Sequence, residues 1–141
     1  GNVESGFEQV LAKECLEGVT FRGGIGSKEL PNELNAADIF CLPSLEEGFP
    51  LSMLEAMACG LPVITTLEAG AKDIIRSQVE GIIIPAKDSQ ALKDALEFLL
   101  LNHEVRRNIG LAARSRVEQG YSWEDYTNRA IEAYRDILLE T

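Results

Sequence analysis

Up to about residue 87, short apolar runs alternate with amphipathic stretches, and beyond that only amphipathic stretches follow. Val19-Thr20-Phe21, Asp38-Ile39-Phe40-Cys41-Leu42, Pro62-Val63-Ile64-Thr65-Thr66 and Gly81-Ile82-Ile83-Ile84-Pro85 read as strands. Their apolar character is nearly continuous, the pattern of strands buried on both faces of a parallel sheet. Helical periodicity covers Phe7 to Leu16, Lys28 to Ala37 and Leu51 to Cys59, with a weaker turn around Lys72 to Arg76. Strand and helix in alternation imply right-handed crossovers, so the expected fold is α/β, a Rossmann-like parallel sheet with helices on both faces.

The remainder predicts a helical C-terminal extension. Asp88 is placed to cap a helix through Leu92, Leu96 and Leu99. A second helix runs from about Glu104 to Glu118 and stops at Gly120. Ser122-Trp123-Glu124-Asp125 approximates a capping box that opens a last helix through Tyr126, Ile131, Tyr134 and Leu138. The expected organisation is one domain over residues 1–141, with a parallel core at 1–87 and the extension at 88–141. Four strands make a narrow sheet, which suggests that an edge is missing at the N-terminus.

In such a sheet, ligands bind beyond the carboxyl ends of the strands. The loops expected there are Arg22-Gly23-Gly24-Ile25-Gly26, Pro43 to Pro50, and Thr65-Thr66 followed by Glu68-Ala69-Gly70. Parallel strands bring all three loops to one edge, where they can share a cleft. The middle loop is the most informative. Pro50 suits the first turn of a helix, where its missing N–H costs nothing. The N–H groups of Leu51, Ser52 and Met53 then lack intrahelical partners, and Gly48 lets the backbone approach a ligand. A diphosphate there meets several donors and the positive end of the helix dipole. Glu47 and Glu55 bracket this turn. Glu55 stands on an otherwise apolar helix, where two ribose hydroxyls suit its paired oxygens; solvated acids are the alternative reading of both.

Charge narrows the partners. Lys and Arg number 13 against 23 Asp and Glu, a formal net charge of −10. Such a field disfavours nucleic acid and anionic membrane surfaces, but not a small phosphorylated ligand held by backbone amides. No apolar run approaches the roughly 20 residues that span a bilayer, so direct membrane insertion is not expected. Cys15, Cys41 and Cys59 show no close pairing, as for free, largely buried thiols in a reducing cytoplasm. His103, the single histidine, sits in a polar stretch that suits a surface or capping role.

The run from Glu47 to Ile64 closely resembles the E-x7-E segment of retaining glycosyltransferases of the GT-B fold, the large family 4 group. The match continues outward. Phe21-Arg22-Gly23-Gly24-Ile25 resembles the family's base-contacting turn, and Ala37 through Ser44 its strand and Pro-Ser loop before the first acid. Glu80-Gly81-Ile82-Ile83-Ile84-Pro85 and Tyr121-Ser122-Trp123 follow in the family's order. The resemblance implies the C-terminal half of a GT-B fold, truncated at its N-terminus, that binds a UDP- or GDP-sugar. It implies that Glu55 holds the ribose and that Glu47 contacts the donor sugar or supports charge at its anomeric carbon. Main-chain groups around Gly48, Phe49, Pro50, Leu51 and Ser52 would carry the diphosphate. Main chain near Gly24 and Ile25 would meet the base, with Ser44 and Gly70 completing the donor site.

No metal or other cofactor is implied. The family works without a divalent metal, and the sequence holds no metal-ligand cluster. Two departures stand out. The family's preceding strand, Gly-rich turn and Arg/Lys pair lie before this chain, together with the N-terminal acceptor domain. The family's Gly-Gly followed by Glu also reads here as Ala69-Gly70, then Asp73. The resemblance therefore implies a donor-binding domain inactive alone, cytoplasmic, and at most peripheral to a membrane through the missing domain. Two other classes stay open: a non-catalytic module completing a site with a partner subunit, and a GT-B sugar-nucleotide epimerase.

Overall fold

The computed structural model describes residues 18–139, which fall into two compact units divided between Glu33 and Leu34. The expected helix from Phe7 to Leu16 and Cys15 lie outside the described residues. In the first unit, Val19-Thr20-Phe21 forms no strand, contrary to the expectation from its apolar character. Val19 and Phe21 are 52% and 53% exposed. A strand exists through its ladder, and among the described residues nothing takes these backbone bonds. A turn at Gly26 to Glu29 follows, in which the N–H groups of Glu29 and Leu30 both donate to the Gly26 carbonyl. It leads into a short helix, α1, Leu30–Asn35.

The second unit carries the sheet. Its strands are β1 (Phe40–Leu42), β2 (Val63–Thr66) and β3 (Gly81–Ile84), parallel and in the order β1-β2-β3. The register pairs Phe40 with Val63, Leu42 with Thr65, Val63 with Gly81 and Thr66 with Ile84. Helix α2 (Leu51–Ala58) connects β1 to β2. Two short 3-10 turns, Leu67–Ala69 and Ala71–Asp73, begin the connection from β2 to β3. The C-terminal extension is α3 (Ser89–Leu101), α4 (His103–Glu118) and α5 (Trp123–Leu139).

Strand side chains alternate between faces, and the packing follows that period. Ile64, Ile82 and Ile84 gather with Ala95 and Leu99 of α3 and Ile109 of α4 into the main core, which α3 seals with Ala91, Leu92 and Leu96. Gly81 and Val63 belong to the other face, where Ile75 of the β2–β3 connection closes over them. A Cβ on Gly81 would lie 2.6 Å from the Val63 carbonyl, so only glycine fits at the start of β3. On α4, a Cβ at Gly110 would overlap the Gly60 carbonyl, so glycine lets α4 press onto the turn after α2.

The caps follow the sequence closely. Asp88 accepts the Ala91 N–H at 2.8 Å, as expected of the N-cap of α3. At α5 the box is reciprocal: the Asp125 N–H donates to Ser122 Oγ at 3.1 Å, and the Ser122 N–H donates to Asp125 Oδ2 at 3.0 Å. Ser122 Oγ also donates to the same carboxylate, and these bonds hold Asp125 below its ordinary pKa. His103 opens α4 and is exposed, with Nδ1 2.9 Å from Arg106 Nη2. Cys59 is half-buried, but Cys41 is exposed, unlike the buried thiols expected. None of the described helices is long and apolar enough to cross a membrane.

Candidate functional site

At the carboxyl edge of the sheet, the loops after β1 and β2 are tied together by two buried threonines. Thr65 and Thr66 end β2, as the strand pattern suggested, and both are fully buried. Thr65 Oγ1 donates to the Leu42 carbonyl at 3.0 Å, and Thr66 Oγ1 donates to the Ser44 carbonyl at 2.5 Å. A buried hydroxyl needs a partner, and here each one satisfies a carbonyl at the end of β1. The loop that carries the first acid is thereby pinned to the central strand. The Glu47 N–H adds a third tie, to the Glu68 carbonyl at 3.0 Å.

Gly70 closes this arrangement. Its φ of 69° is left-handed, the region where glycine is at ease. A Cβ built on it would sit 2.7 Å from the Gly48 carbonyl and 3.2 Å from Pro50 Cδ. Gly70 is therefore seated directly against the turn that leads into α2, and its missing side chain is what allows the contact. Pro50 is buried and extended (φ −78°, ψ 90°), standing one residue before the first helical turn expected for it. The Met53 N–H turns back onto the Pro50 carbonyl at 3.0 Å. Of the three outward donors expected at this helix start, Leu51 and Ser52 thus carry the role, and both residues are exposed.

Glu47 and Glu55 are both exposed. The Ser44 hydroxyl donates to Glu47 Oε1 at 3.3 Å, steadying the carboxylate from within its own loop. Glu55 departs from the apolar surroundings suggested by its neighbours in sequence. Met53, Leu54, Ala56 and Met57 turn into the core, while Leu51, Glu55 and Ala58 share the open face of α2. That face borders a hollow of about 630 Å³, mostly apolar, closed on its far side by Tyr121, Trp123, Tyr126 and Arg129. The Trp123 and Tyr126 rings meet edge to face, 6.0 Å between centroids.

The structure thus brings Ser44, Glu47, Gly48, Phe49, Pro50, Leu51, Ser52 and Gly70 to one edge, with Glu55 a turn along α2. Gly24 and Ile25 belong to the first unit, where they line a polar hollow of about 530 Å³ with Arg22, Glu29, Asn32 and Glu33. Arg22 and Glu33 form an ion pair beside it. Among the described residues, no group of three His, Cys, Asp or Glu is placed to hold a metal ion.

Sequence reasoning passed over a clamp behind this edge. Arg116, near the end of α4, donates through Nε to the Ile74 carbonyl at 3.3 Å and through Nη2 to the Asp73 carbonyl at 3.2 Å. The Tyr121 hydroxyl donates to the same Asp73 carbonyl at 3.0 Å, and the Arg116 guanidinium lies 5.5 Å from the Tyr121 ring centroid. Nearby, Glu80 is 1% exposed and receives the Arg76 backbone N–H at 2.9 Å and its guanidinium at Oε1. Burial alone pushes the Glu80 carboxyl up, but the Arg76 bonds and the charge of Arg116 outweigh it and leave the pKa lowered. The Arg116-x4-Tyr121 spacing across a helix end could have pointed to a carbonyl clamp; nothing in sequence names its target.

The family model described as glycosyl transferases group 1 matches residues 2–116. The amylovoran biosynthesis glycosyltransferase AmsK of Erwinia amylovora is 33% identical over 132 residues, covering 86% of this chain and 32% of its own. The GDP-mannose-dependent monoacylated alpha-(1-6)-phosphatidylinositol monomannoside mannosyltransferase of Corynebacterium glutamicum is 34% identical over 121 residues, covering 81% and 32%. Among solved structures, sucrose-phosphate synthase from Thermosynechococcus elongatus superimposes with a TM-score of 0.84 at 30% identity, covering 96% of this chain and 34% of that one. The chain spans about a quarter to a third of the length of the curated relatives it matches. A parallel sheet ending in a pinned loop and the start of α2, matched in sequence and fold over most of the chain, places this protein in the glycosyl transferases group 1 family, as a C-terminal GT-B domain.

Proposed function

We propose that this domain binds the nucleoside-diphosphate sugar of a retaining glycosyltransferase. The observation that carries the reading is the seat formed by Gly48, Pro50 and Gly70 before α2. It sets Leu51 and Ser52, both exposed residues, at a helix start between two exposed glutamates. A diphosphate there takes backbone hydrogen bonds and the favourable end of the α2 dipole. Glu55, one turn along the same open face, suits the two ribose hydroxyls. Glu47, steadied by Ser44, reaches the sugar side, where it holds hydroxyls or supports positive charge at the anomeric carbon. For the base, the resemblance points to the main chain of Gly24 and Ile25, which belong to the first unit.

In the reaction the bond between the anomeric carbon and the diphosphate oxygen breaks, and its electron pair leaves with the diphosphate. An acceptor hydroxyl bonds to the same carbon with configuration kept, and its proton leaves on the departing phosphate. The role of this chain is to stabilise that leaving group and orient the sugar, with no cofactor needed for either task. The GDP-mannose dependence of the Corynebacterium relative supports a nucleoside-diphosphate donor. The amylovoran relative supports a place in polysaccharide assembly. The acceptor site belongs to an N-terminal domain, so the chain alone is inactive, and its place is the cytoplasm, where nucleotide sugars are available.

The test is a titration of the labelled chain with UDP and with GDP, followed by backbone amide shifts. Shifts confined to Gly24 to Ser27, Gly48 to Met53 and Glu55 are expected with one of the two. A folded sample that answers neither nucleotide at these positions overturns the donor-site reading.

A further inference from the structure

Resting on that reading, we infer that Arg116 and Tyr121 are positioning residues for the donor loop, although both lie on the helical extension. Arg116 and the Tyr121 hydroxyl together hold the carbonyls of Asp73 and Ile74. Those residues end the second 3-10 turn, whose first residue, Ala71, is fully buried and follows Gly70 directly. Its carbonyl accepts the N–H groups of Ile74 at 3.0 Å and Ile75 at 2.8 Å, which makes the segment a single stiff turn. Gly70 at its head sits close enough to the Gly48 carbonyl and Pro50 that no side chain would fit between them. Movement at Asp73 therefore reaches the donor loop through one short turn, anchored in the core at Ala71, Ile74 and Ile75. The cradle that receives the diphosphate is braced from behind by the end of α4.

The clamp is built for position. Arg116 spans two successive carbonyls with a planar fork, which fixes direction as well as distance. Tyr121 supplies a second donor to one of them while its ring faces the guanidinium. The charge of Arg116 near Glu80 bears on the fold in general; its backbone bonds also set where the segment after Gly70 lies.

The test is Tyr121→Phe in the full 141-residue chain, which keeps the ring and removes only the hydroxyl. Without ligand, the amide resonances of Glu47, Gly48 and Leu51 are expected to move, and their hydrogen exchange to quicken several-fold, while the remaining sheet stays native. With UDP or GDP, whichever the wild-type chain binds, the dissociation constant is expected to rise about threefold to tenfold, the effect of one misaligned hydrogen bond. Arg116→Lys keeps the charge near Glu80 but loses the fork, and serves as a second variant if the first does not fold. Unchanged donor-loop amides in a folded variant overturn the inference. A wild-type chain that binds neither nucleotide, with loop amides still moving in the variant, overturns the donor reading and leaves the brace standing.

Discussion

At the residue scale the site depends on what two side chains lack and what two others donate. Gly70→Ala introduces a Cβ within 2.7 Å of the Gly48 carbonyl at a left-handed φ. It is expected to cost about 2 kcal/mol and to shift the Glu47 to Leu51 amides, checked by denaturant unfolding and NMR. Glu55→Ala should do the opposite: the residue is exposed, so stability stays within about 0.5 kcal/mol. Nucleotide affinity falls about tenfold by calorimetry, the loss expected for hydrogen bonds to a charged group. Sequence legibility differs between these residues. The spacing of Glu47, Gly48, Pro50 and Glu55 is local and could be read directly. That Thr65 and Thr66 would face inward and bind Leu42 and Ser44 depends on strand register, which only the folded sheet fixes.

At the element scale, helix ends were the most legible feature, because caps are local hydrogen-bonding problems solved by a few side chains. Asp88 and Ser122 both do what their positions suggest. Ser122→Ala should cost about 1 kcal/mol, with fraying confined to the first turn of α5, measured by amide exchange. The run from Val19 to Phe21 was misread because strand character is settled by a neighbour, not by composition. The connection between β2 and β3 was the least legible, since its local Arg76–Glu80 pair is completed by Arg116, which reaches it from α4, remote in sequence. Glu80→Gln is expected to destabilise by about 2 kcal/mol near neutral pH. The folded pKa of Glu80 is lowered, so its contribution is complete above the ordinary carboxylate range. It fades as the pH falls from that range through the folded value. The stability gap between wild type and Glu80→Gln should therefore close on acidification, and unfolding series at several pH values would reveal it.

For the molecule as a whole, the parallel α/β architecture was legible from alternating runs, and its family from the block around Glu47 to Ile64. The strand at Val19 to Phe21 was not, because among the described residues no ladder forms there. The chain corresponds to about a quarter to a third of its curated relatives, and transfer is expected only with an acceptor domain present. Mixing this chain with a separately produced N-terminal domain and a donor sugar should restore turnover, measured by nucleotide release, where neither part alone gives any. The start of α5 offers a direct view of the hollow beside Glu55. Trp123 is the only tryptophan of the chain and is 75% exposed at the rim of the hollow beside Glu55. The intrinsic fluorescence therefore comes from one hydrated indole, emitting at the long-wavelength end of its range. Whatever covers that rim is expected to draw the emission toward the blue, so Trp123 is an unlabelled optical reporter of the hollow beside Glu55.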